Sequence, residues 1–195
     1  MTPDDARQLL ESDVVAASRA ILGWHLVRGA CRVQIVEVEA YRAEDDAASH
    51  AHRGVTKRNE IMFGEPGHAY VYFSYGVHWM LNVVAHPPGR AAAILIRAAK
   101  PLEGIDEMRD RRLKAKTDQD LLSGPGKVCA ALGITSHEHG IDLLTNPDLH
   151  LEPQLSAANV LVGPRIGITK AVDFAWRFVD ADNLEWASRP RTGLA

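Results

Sequence analysis

The stretch IVEVEAY, residues 35 to 41, alternates between aliphatic and polar side chains. A period of two marks an extended strand, because successive strand side chains leave opposite faces of the backbone. Val36, Val38 and Ala40 therefore share one side, and Glu37, Glu39 and Tyr41 share the other. The aliphatic side needs a core to cover it, so the chain has to build a sheet. The polar side needs a separate explanation.

The remaining sequence supplies the sheet. Val27 to Tyr41 reads as one strand, AYVYFSYGVHWMLNVVAH (69 to 86) as a hairpin turning at Ser74, Tyr75, Gly76 and Val77, and AAAILIRAAKPL (91 to 102) as a further strand. Shorter strands are expected around Leu149 to Leu151 and Gly163 to Lys170, with AWRFVDAD (175 to 182) closing the sheet. Thr2, Pro3, Asp4 and Asp5 form a helix start, with an N-cap hydroxyl, a proline at the first helical position and acids that suit the helix dipole. One or two helices follow, ending by Gly23. PLEGIDEMRDRRLKAK (101 to 116) reads as a charged helix, and SGPGKVCAALGI (123 to 134) as a turn feeding a short one. Arg42 to Asn59 is a polar loop, a usual home for functional side chains. The expected class is α+β, an antiparallel sheet with helices to one side.

With 195 residues, 46% hydrophobic and 24% charged, the chain can bury one core without staples, and a single domain over 1 to 195 is expected. Cys31 and Cys129 have no C-x-x-C partner, which argues against a zinc ribbon or a disulfide framework and for a reducing cytoplasm. The charged start has no apolar signal region, and no run of about 18 apolar residues offers a membrane span. A net charge of −3 disfavours a sequence-independent coat on nucleic acid but leaves room for a local phosphate-binding surface.

Glu39 is a candidate general base if its strand face opens into a pocket, where a carboxylate can orient and deprotonate water. A solvated strand face is the competing reading, and Glu37 is the better candidate for it. The pairs His50/His52 and His137/His139 have a spacing compatible with zinc, but no third ligand is placed by spacing. GPGK at 124 to 127 lacks the glycine gap and the Ser/Thr of a nucleotide-binding loop, although a helix start there could hold one phosphate. Tyr70 and Tyr72 share a face of the hairpin, and Tyr75 stands at its tip with little core to enter. That ring either folds back over the sheet or meets a partner, such as the slot between stacked bases.

VEVEAY, His50 eleven residues after Glu39, YVYFSYGVHWMLN, ILIRAAKPLEG, SGPGKVCAALGI and PRIGI together resemble, in this order, the alkyladenine (3-methyladenine or methylpurine) DNA glycosylase family. The resemblance implies a curved antiparallel sheet with a protruding hairpin and surrounding helices. It further implies a monofunctional base-flipping hydrolase that acts on double-stranded DNA with damaged purines, as a monomer without cofactor, metal, membrane or obligate protein partner, in the cytoplasm or at the nucleoid. By that resemblance Glu39 activates the attacking water and Arg97 positions the catalytic region. Tyr41 and His50 lie against one face of the extruded base, Tyr72 closes the other, Asn82 excludes the 2-amino group of guanine, and Tyr75 intercalates. A metal-dependent hydrolase using the H-x-H pairs and a non-catalytic DNA-binding module remain the alternatives.

Overall fold

A computed structural model describes residues 1 to 155 and 158 to 195. Its first helices are α1, Pro3–Leu10, and α2, Val14–Ala20. Thr2 and Asp5 cap α1 reciprocally, and Asp13 caps α2 through the amides of Val15 and Ala16. The strand expected over 27 to 41 is two strands, β1, His25–Arg28, and β2, Cys31–Arg42. Gly29, at φ 53°, lets the chain reverse between them, so Val27 pairs with Arg32.

The hairpin is β3, Ala69–Ser74, and β4, His78–Ala85, and β5 follows as Ala92–Glu103. Because β5 runs to Glu103, the charged helix is shorter than expected: α3 covers only Ile105–Arg111. Two short helices, α4, Asp118–Leu122, and α5, Pro125–Leu132, precede β6, Leu149–Glu152, β7, Val160–Gly163, and β8, Arg177–Asp180. The strand expected over 163 to 170 is thus only a strand end. After Gly163 comes Pro164, which has no amide to offer a ladder, and the chain leaves the sheet as a loop.

The strands form one antiparallel, curled sheet in the order β3-β4-β5-β2-β1-β6, with β8 joining β2 and β7. Register explains what each face does. Ala69, Val71, Leu81, Val83, Ile94, Ile96, Val38 and Ala40 belong to the main core together with residues of α1, α2 and α5. The opposite face carries Tyr70, Tyr72, Asn82, Leu95 and Glu39, linked across the sheet by the pairs Tyr70↔Asn82, Asn82↔Leu95 and Glu39↔Leu95. From Glu37 to Tyr41 the alternation of β2 is retained, with its carboxylates on the face away from the main core, but before the register shift at Glu37 it is Ile35 and not the expected Val36 that joins the main core.

The ladder between β2 and β5 shifts register on both sides of Glu37, passing from Ile35↔Ala99 to Glu37↔Ala98 and then to Val38↔Ile96. Val36 and Arg97 are left without a direct partner in it. Bulges of this kind bend a strand and re-aim its side chains. Here one of them is Arg97.

Candidate active site

A cavity of about 540 Å³ opens on the polar face, lined among others by Tyr41, His50, Tyr72, Asn82, Arg97 and Ile166. Its size is that of small-molecule pockets, which run from about 300 to 1,000 Å³. The residues singled out on β2, β3, β4, β5 and the 42 to 59 loop thus converge at one place. Tyr75 lines the same cavity from the hairpin tip.

Glu39 is fully buried and does not itself line the cavity, but its three hydrogen-bond partners, Tyr41, Arg97 and Ile166, do. Its Oε2 accepts from the Tyr41 hydroxyl at 2.8 Å and from an Arg97 nitrogen at 3.2 Å, and its Oε1 accepts from the Ile166 amide at 2.7 Å. A carboxylate has about four acceptor sites, so these three donors leave one free on Oε1. Burial raises the Glu39 pKa above the ordinary carboxylate value, while Arg97, the Ile166 amide and Tyr41 pull it back only in part. The Tyr41 hydroxyl stays protonated because burial, and then the neighbouring Glu39 charge, push its pKa up.

Glu37 is where the structure corrects the sequence reading. It is fully buried and not a solvated strand residue. Its Oε1 accepts from Arg97 Nε at 3.1 Å, from Arg177 Nε at 2.7 Å and from the Ser188 hydroxyl at 2.8 Å; its Oε2 accepts from the Ser188 amide at 2.6 Å. Burial alone would lower the Arg97 pKa, but Glu39 and Glu37 together raise it, so Arg97 is a permanent cation bridging the two carboxylates. Glu37 thereby fixes the nitrogen fork that touches Glu39.

Tyr41 is held from behind. The Arg165 guanidinium lies 4.6 Å from its ring centroid and forms a buried bidentate pair with Asp46 at 2.5 and 2.8 Å. Sequence reasoning quoted PRIGI without giving Arg165 or Ile166 a role, and it passed over Asp46. Their signal was weak, since nothing local marks which loop will cover a strand face.

His50 and Tyr72 touch, with centroids 4.6 Å apart at 78°. A base between them would need the two rings roughly 7 Å apart, two contacts of about 3.5 Å each. The expected placement of a base between His50 and Tyr72 would therefore require the two rings to separate. His50 Nδ1 lies 2.8 Å from the Tyr70 hydroxyl, and Asn59 clamps the His50 carbonyl at 2.8 Å. Burial, and next the Arg58 charge, lower the His50 pKa to about 4. The imidazole is therefore neutral at pH 7. Asn82 is buried, and its amide nitrogen donates to the Tyr70 carbonyl at 3.0 Å, which locks its orientation at the cavity floor.

The three other histidines of the H-x-H pairs are held singly by protein groups. His52 meets the Ala43 carbonyl, His137 the Thr135 hydroxyl, and His139 accepts from the Val71 amide. Among the described residues no cluster of three metal-ligating side chains occurs. Lys127 of the GPGK turn is tied to Asp120 and Ser123.

At the hairpin tip Tyr75 is 91% exposed and has φ 51°. A bulky residue in left-handed backbone is an outlier, and such outliers concentrate at functional sites. Phe73 and Trp79, with centroids 4.8 Å apart, brace the stem below it.

The methylpurine-DNA glycosylase (MPG) family model matches residues 8 to 184. The chain belongs to the methylpurine-DNA glycosylase family. A protein of Nitrosospira multiformis, named "Putative 3-methyladenine DNA glycosylase", is 50% identical over 165 residues, covering 84% of this chain and 83% of that one. The same name is carried by a Methanocella arvoryzae protein, 41% identical over 91% of this chain and 92% of its own, and by a Rhodopseudomonas palustris protein, 48% identical over 81% and 75%. The family match spans every element that lines the cavity, from β2 to the loop carrying Ile166. Among the described residues of this glycosylase family member no helix is long and apolar enough to cross a membrane.

Proposed function

We propose that this protein removes damaged purines from double-stranded DNA by rotating the nucleotide into the cavity and hydrolysing its N-glycosidic bond. The observation that carries this reading is a buried carboxylate, Glu39, held by Tyr41 and Arg97 beside an aromatic-walled cavity that Tyr75 also lines. A base inside a duplex is sterically out of reach, so the enzyme must take it out of the stack. Tyr41, His50 and Tyr72 supply faces for a planar ring. A neutral His50 accepts a cationic alkylpurine without repulsion.

In the reaction, water held at the free Oε1 site attacks the sugar C1′. The bond from C1′ to the base nitrogen breaks with its electron pair going to the base, and the water proton passes to Glu39. An alkylated purine leaves as a neutral base; hypoxanthine must also gain a proton. The Glu39 charge stabilises the cationic character that develops on the sugar. Among the described residues no lysine lines the cavity, so a Schiff-base lyase step is not part of the proposal, and the product is an abasic site.

Incubation with a hypoxanthine-containing duplex, with and without EDTA, tests this reading. Base release that resists EDTA supports it, EDTA-sensitive release points to a metal enzyme, and tight binding without release points to a DNA-binding module. Two variants probe the parts. Tyr75→Ala should weaken duplex binding by about 1 to 3 kcal/mol, the worth of one base–aromatic stack, and leave the melting temperature unchanged because the ring is exposed. A collapsed melting temperature with intact excision would instead place Tyr75 in the core. Asn82→Ser should raise guanine release from a mismatched duplex by making room for the 2-amino group; intact hypoxanthine excision without any guanine release removes the gatekeeper role.

A further inference from the structure

The cavity of the free protein already holds a planar cation from its own chain. Arg58, delivered by the 42 to 59 loop, places its guanidinium carbon 5.0 Å from the Tyr72 ring centroid, and one nitrogen lies 3.5 Å from His50 Nε2. A guanidinium only donates, so Nε2 is the acceptor and the His50 proton sits on Nδ1, toward the Tyr70 oxygen. Arg58 has no carboxylate partner among the described ion pairs, and its side chain is exposed. Nothing therefore fixes it except the aromatic wall. Flat, cationic and rich in N–H donors, it has the chemistry of an alkylated purine.

We propose that Arg58 is a specificity-determining residue that occupies the Tyr72 side of the empty pocket and is displaced only by a base that stacks there better than it does. This rests on the base-binding reading of the cavity. Every entering base must replace the guanidinium on Tyr72, so a weakly stacking or badly fitting base is rejected by competition as well as by shape. An exposed cation–π contact corresponds to about a two- to fivefold change in an equilibrium constant.

Equilibrium binding separates this role from a phosphate contact. In a Glu39→Gln background, which removes turnover, Arg58→Ala and Arg58→Lys are titrated with duplexes carrying hypoxanthine, a tetrahydrofuran abasic analogue, or no lesion. Arg58→Ala is expected to tighten the hypoxanthine duplex about two- to fivefold and leave the abasic duplex unchanged, since no base competes there. Arg58→Lys keeps the charge but loses the plane, and should shift the hypoxanthine duplex in the same direction. Equal weakening on all three duplexes makes Arg58 a backbone phosphate contact and overturns the proposal; so does no change on any. If the parent itself does not prefer hypoxanthine over undamaged duplex, the base-binding reading fails first and takes the proposal with it.

Discussion

Replacing Glu39 by glutamine is expected to lower single-turnover excision of hypoxanthine by about 100- to 10,000-fold, the usual span for a general base, while lesion binding persists. The amide keeps the size of the side chain, and its one oxygen can still accept from Tyr41 and Arg97, although the N–H₂ then faces the Ile166 amide and that donor loses its partner. What disappears is the proton acceptor and the negative charge beside the sugar. Excision near the wild-type rate would remove Glu39 from the chemistry. The pH profile gives a second reading of the same residue. Glu39 must be ionised to act, and burial raises its pKa, so the acid limb of excision should fall above the ordinary glutamate value of 4.5. Stability runs the other way. With a folded pKa above the unfolded one, the contribution of Glu39 is fully present below 4.5 and is lost as pH rises through the folded value. Thermal scans of wild type and Glu39→Gln should therefore converge, or the variant should gain, as pH increases across that window.

Glu37→Ala is expected to destabilise the protein by about 3 to 5 kcal/mol, because it leaves Arg97 and Arg177 buried without their shared carboxylate. For a chain of this length that corresponds to a fall of roughly 6 to 20 °C in melting temperature, at about 2 to 4 °C per kcal/mol. Glu37→Gln should be damaging as well, since a neutral amide presents an N–H₂ where arginine and serine donors already converge. The sequence alone made Glu37→Gln a near-silent control, and the buried network reverses that expectation. Circular dichroism melting decides it: a melting temperature within about a degree of wild type would return Glu37 to a solvated role. Excision should also fall below the new melting point, because the Arg97 fork facing Glu39 loses one of its two anchors.

The side-chain parity of β2 from Glu37 to Tyr41 was legible in IVEVEAY, since alternation is a local property of an extended backbone, but the bulge that puts Ile35 rather than Val36 in the main core was not. Parity placed Glu37, Glu39 and Tyr41 together, and the bridging Arg97 agrees with it. The hairpin with Tyr75 at its tip was legible for the same reason, as was the Thr2 cap at the start of the chain, whereas the exposure of the Tyr75 ring was left open by the sequence. Strand ends were less so: the reversal at Gly29 and the exit at Pro164 depend on single residues inside otherwise strand-like runs. Tertiary structure alone decided what covers the polar face. Glu37 is sealed by Ser188, 151 positions away in the chain, and Glu39 is met by the Ile166 amide, 127 positions away. Parity says which residues share a face, but the field at that face comes from whichever segment folds over it. Here a bulge turned Arg97 between two carboxylates, and two distant loops buried them, which made one glutamate a structural anchor and left its neighbour two residues on as the group we propose activates water.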